Sequence, residues 1–88
     1  MTWTVKISQR TEKAIAKLDS QAKHKIQHFI NKQLPNFDNP RQTGKALQGN
    51  LKGLWRYRVG DYRLVAQLND HELIILVLEL GHRKDIYR

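Results

Sequence analysis

The sequence predicts an α+β domain in which a helical hairpin packs on a mainly antiparallel four-stranded sheet, in the order β-α-α-β-β-β. Three observations lead there. The first residues alternate apolar and polar, and the next two segments repeat apolar residues at spacings of three and four. The C-terminal half then reads as three strand-like runs divided by turn residues. A chain of 88 residues has room for one domain, spanning 1–88.

Over residues 1–7, Trp3, Val5 and Ile7 fall on one side and Thr4 and Lys6 on the other, the pattern of a half-buried strand. Ser8 is placed to cap a first helix, whose Thr11, Ala14, Ile15 and Leu18 share a face. Ser20 is placed to cap a second, with Ala22, Ile26, Phe29 and Ile30 as its apolar stripe, and Pro35 stops it. Residues 35–53, rich in Pro, Gly, Asn and Gln, read as a connection anchored to the core by Ala46 and Leu47. Strands are expected at 54–59, 62–68 and 73–80. Gly60-Asp61 forms a two-residue turn of the type that prefers glycine first. The last strand is apolar except for Glu79, so it belongs in the sheet interior.

Sixteen Lys and Arg against eight Asp and Glu leave a formal charge of +8, which suits a polyanionic partner such as nucleic acid or an acidic protein. With no cysteine, disulfides and thiolate metal sites are excluded. The longest apolar run, 73–78, is far short of the ~20 residues of a membrane span. No signal peptide opens the chain, and a cytoplasmic location is expected.

The hairpin register places the charge. A Gly60-Asp61 turn pairs Val59 with Tyr62 and therefore Arg58 with Arg63, and alternation puts Arg56 beside them on the same face. Like charges directly opposite each other cost perhaps ~0.2–1 kcal/mol. The two members of the pair are expected to behave alike. A solvated face screened by water accounts for these arginines as well as an anion site does, and both readings stand at this point. Even-numbered positions of the last strand project onto the same face; if that strand continues through Gly81, His82 points there too. A lone terminal histidine is more commonly just a solvated side chain. His24 and His28 lie one helical turn apart, on the side away from the apolar stripe and without a third ligand. The acids are too few and scattered for a two-metal nuclease.

Residues 47–65, reading L-Q-G-N-L-K-G-L-W-R-Y-R-V-G-D-Y-R-L-V, and the closing G-H-R-K-D-I-Y at 81–87 resemble the RelE/ParE superfamily of bacterial type II toxins. The terminal motif resembles the RelE branch, whose members cut messenger RNA in the ribosomal A site. The resemblance implies a metal-independent endoribonuclease that needs no cofactor and acts by 2′-OH transesterification. Its partners would be a cognate acidic antitoxin, the ribosome and mRNA. Arg56, Arg58, Arg63 and Arg83 would neutralise the phosphate, His82 would transfer a proton, and Tyr87 would stack on a base or donate a hydrogen bond. Lys52, Lys84 and Arg88 would add contacts to RNA. Arginine stands at 56 and 58 where some relatives have lysine, so a deprotonated lysine is not available as the base. Two other classes stand beside this: a ParE-like inhibitor that poisons DNA gyrase by protein contact with the same fold, and a non-catalytic basic RNA-binding module.

Overall fold

The fold comes from a computed structural model that describes residues 2–82. Strand β1 (Thr4–Ile7) leads into helices α1 (Gln9–Ala16) and α2 (Ser20–His28), the latter prolonged by a wide turn over Phe29–Gln33. A 3-10 turn at Leu34–Asn36 and a short helix α3 (Pro40–Thr43) bring the chain back to strand β2 (Lys45–Ala46). Strands β3 (Trp55–Val59), β4 (Tyr62–Asn69) and β5 (Ile74–His82) complete the sheet. The strand order is β1-β5-β4-β3-β2, antiparallel throughout except where β1 runs parallel to β5.

Two differences from the expected layout have local causes. The sheet has five strands, because the connection contributes a two-residue edge strand, Lys45–Ala46, paired with Arg56 and Trp55. Two residues are too few to show any periodicity. The connection is anchored elsewhere than expected. Ala46 is exposed and Leu47 only half-buried, whereas Pro40 is buried and its carbonyl accepts the Tyr57 hydroxyl at 2.7 Å.

Ser8 caps α1 as expected, accepting the Thr11 N–H at 3.2 Å. For α2 the cap is Asp19, which accepts the Ala22 N–H at 2.8 Å, and Ser20 is already inside the helix. Either residue type can cap; the carboxylate also complements the positive end of the helix. Pro35 lies in the 3-10 turn, where its carbonyl accepts the Trp3 N–H at 2.9 Å. Both helices turn their apolar stripes to one face of the sheet. Ile15, Ile26, Phe29, Ile30 and Leu34 pack there on Tyr57, Leu64, Ala66, Ile75 and Val77. Among the described residues, no helix is long and apolar enough to cross a membrane.

Candidate nucleic-acid interface

The face that the helices leave uncovered carries the arginines. Gly60 adopts φ +60° while Asp61 stays out of the left-handed region, so the turn has the expected form and the register is Val59↔Tyr62, Arg58↔Arg63 and Arg56↔Val65. Lys45 lies opposite Arg56 on the edge strand. Arg56, Arg58, Arg63, Lys45 and Thr43 line a depression of about 280 Å³. No acid lines it.

The Arg58–Arg63 pair is unequal. Arg58 is exposed, whereas Arg63 is 6% exposed and donates from Nη1 to the Tyr62 carbonyl at 3.2 Å. Burying a cation is costly unless its donors are satisfied, so Arg63 is built into the sheet while Arg58 stands at the surface. The sequence treats the two as equivalents because alternation reports the face and not the depth.

His82 lies on the other face. Up to Val77, even positions of β5 do project to the arginine side, since Ile74 and Leu76 pair with Asn69 and Gln67. Then Val65 pairs with Glu79 while Ala66 pairs with Val77, leaving Leu78 as an extra residue that reverses the alternation. Glu79 and Gly81 consequently share the side of Val65 and Arg63, and His82 joins Tyr62 on the helix-covered side. The two rings meet edge to face with centroids 5.4 Å apart. Ser8 holds the extra residue in place. Its Oγ donates to the Leu78 carbonyl at 3.1 Å, and its N–H donates to the Val77 carbonyl at 2.9 Å. His82 instead borders a separate cavity of about 220 Å³ with Asp19, Lys25, Ile26, Asp61 and Tyr62.

Lys52 is exposed in the turn before β3 and does not line the depression. Arg83, Lys84, Tyr87 and Arg88 lie outside the described residues. His24, His28 and His71 are exposed, and no group of three metal-ligating side chains occurs among the described residues. Lys45 and Thr43 are the lining residues that sequence reasoning missed. Their signal is the glycine beside them: a Cβ on Gly44 would stand 2.9 Å from Tyr57 Cε1 and 3.1 Å from the Arg56 carbonyl oxygen. Only glycine allows the edge strand so close to β3.

The connection is clamped from the other end as well. Arg41 makes a bidentate pair with Asp70 at 2.8 Å for each bond and lies 5.8 Å above the Trp55 ring. The Arg41 bonds hold the Asp70 carboxyl below its usual range, and burial pushes the Tyr57 phenol up to about 12. Together these contacts fix the loop that delivers Lys45 to the arginines.

The domain thus carries a helical hairpin on one side of a mainly antiparallel sheet and a cationic depression on the other. Comparison with known proteins makes the class specific. The sequence model of the family described as "ParE toxin of type II toxin-antitoxin system, parDE" matches residues 5–87. Toxin RelG of Mycobacterium tuberculosis is 30% identical over 88 residues, covering 100% of this chain and 99% of the relative. The structure is similar to the toxin–antitoxin complex RelBE2 of M. tuberculosis (TM-score 0.85, 25% identity, 94% of this chain and 100% of that one). It is also similar to the archaeal RelE–RelB complex of Pyrococcus horikoshii (TM-score 0.67, 25% identity, 97% and 99% of the two chains). The chain belongs to the ParE toxin family, within the RelE/ParE superfamily, and is a type II toxin of RelE type.

Proposed function

We propose that this toxin arrests translation by cutting messenger RNA in the ribosomal A site, without a metal, by 2′-OH attack on the neighbouring phosphate. The observation that carries the reading is the like-charged Arg58–Arg63 pair, flanked by Arg56 on the uncovered face. Two cations placed opposite each other repel, and a phosphate between them relieves that repulsion. In the reaction the 2′-hydroxyl loses its proton, its oxygen bonds to phosphorus, and the 5′-oxygen leaves and takes up a proton. The arginines neutralise the doubly charged phosphorane. We assign a proton transfer, as acid or base, to His82, with Arg83 and Tyr87 as further contributors. Because His82 sits beyond Gly81 on the far side of β5, this assignment requires the RNA to pass over that end of the sheet. An acidic antitoxin is the proposed cellular partner. It would neutralise a chain of charge +8, as suggested by the complexes that similar toxins form.

Primer extension on messenger RNA after induction tests the reading. Cuts at ribosome-occupied codons, with 2′,3′-cyclic phosphate ends and no loss in EDTA once ribosome integrity is controlled, are expected. Arg58→Met should abolish most of the cutting. The family's ParE name supports a second reading, a gyrase poison acting by protein contact. Intact messenger RNA with arrested replication would select it. His82→Gln tests the histidine: a lowered single-turnover rate with unchanged binding keeps it in the chemistry, and an unaltered rate removes it.

A further inference from the structure

We propose that Lys45 completes a seat for two successive phosphates, so that the toxin grips a short RNA strand running along β3 and not a single phosphate. The inference rests on the reading above that the uncovered face binds RNA. Cross-strand pairing sets two cationic rows, Lys45 with Arg56 and Arg58 with Arg63. The rows are two residues apart on β3, on the same face, and a strand advances roughly 6.6 Å over that step. This is close to the separation of successive phosphates along a nucleic-acid strand. All four cations and Thr43 border one depression. The inner row, with its buried Arg63, suits the phosphate that reacts; the outer row, at the sheet edge, suits its neighbour.

The placement of Lys45 is built, not incidental. Gly44 lies against the Tyr57 ring and the Arg56 carbonyl, with its N–H donated to the Pro40 carbonyl at 3.1 Å, and that carbonyl also accepts the buried Tyr57 hydroxyl. On the far side the Leu47 N–H donates to the Leu54 carbonyl at 3.0 Å. A lysine on an edge strand also discourages pairing with other sheets, a role that any charged side chain there fills. Lys45→Glu keeps that role and reverses the other.

Binding of two non-cleavable probes by the full chain, 2′-O-methyl UpU with one phosphate and 2′-O-methyl UpUpU with two, tests the proposal across a salt series. The wild type should bind the longer probe more tightly, with a log–log salt slope steeper by about 0.7, one phosphate's share on a single strand. Lys45→Gln should weaken UpUpU about fivefold or more and bring its slope to that of UpU, leaving UpU unchanged. Lys45→Glu should weaken UpUpU further while the chain stays monodisperse. Gly44→Ala should reproduce the loss with the lysine chemically intact. Equal losses on both probes, no loss on either, or a wild type that does not distinguish them would each overturn the two-phosphate seat. If Arg58→Met loses UpU binding and messenger cutting while Lys45→Gln changes neither probe, the inference fails and the RNA reading stands. If Arg58→Met leaves the cutting intact, it is the RNA reading that fails.

Discussion

Along β3, Tyr57 and Arg58 are neighbours in sequence and opposites in surroundings. Tyr57 is 1% exposed, packed against Phe29 with ring centroids 6.0 Å apart, and its hydroxyl is tied to Pro40. Arg58 is exposed and stands opposite another arginine. The same alternation runs into β4, where Leu64 faces the helices and Arg63 the depression. One parity of the strands thus supplies the core and the other collects charge. Because the two sets meet only through the backbone, substitutions on one face should leave the other's role largely intact.

The largest expected effect belongs to the helix-covered face. Leu64→Ala removes a fully buried side chain and should lower stability by about 2–5 kcal/mol in urea unfolding, the range for large-to-small core changes. Should the loss be under ~1 kcal/mol, the core would not be where the structure puts it. Arg58→Met sharpens the contrast from the other side. Cleavage should fall by roughly 10²–10³-fold, the order seen when one transition-state donor is lost. The urea midpoint at low salt should stay the same or rise, with a gain of at most ~1 kcal/mol from relieved repulsion. Arg63→Met should lose stability instead, because that side chain is buried and bonded to the Tyr62 carbonyl. Matching behaviour in the two variants would contradict the difference in depth.

A smaller effect is expected at Tyr57→Phe. The Pro40 carbonyl keeps the Gly44 N–H, so no acceptor is stranded, and the cost should be about 1 kcal/mol at neutral pH. Alkali reverses the comparison. Burial raises the Tyr57 phenol to about 12, so its contribution is full below its unfolded value near ~10 and is lost as pH climbs towards the folded one. Wild-type stability should therefore decline above about pH 10, and Tyr57→Phe should remove that part of the decline. Smallest of all is Asp70→Asn. The Arg41 bonds lower the Asp70 carboxyl, so its contribution is present above the ordinary carboxylate range and fades as pH falls through the depressed value. The variant should trail the wild type slightly at neutral pH and match it in strong acid, with the difference shrinking in high salt.

How far this was legible from the sequence varies with the range of the interaction that decides each feature. The hairpin register was readable because Gly60-Asp61 and the alternation around it are local signals that agree. The helix stripes were readable for the same reason. What escaped depends on partners distant in sequence. Leu78 is displaced through Ser8, seventy residues away, and nothing around Leu78 announces it. Lys45 looked like loop because its strand is two residues long, and its place is decided by Tyr57 and Pro40. Glycine at position 44 was visible in the sequence, but the ring it must accommodate was not.

The extra residue at Leu78 also bears on how relatives of this toxin are compared. In a strand, an insertion or deletion of one position moves every later side chain through the sheet, whereas a substitution moves none. A gap drawn one column to either side of Leu78 therefore decides whether a downstream letter is matched to a residue under the helices or to one on the arginine face. Two toxins with identical terminal motifs can present them on opposite sides of the sheet if only one keeps this residue. The hydroxyl at position 8 is then the letter to inspect first, because it bonds the carbonyl of Leu78, where the parity of β5 changes.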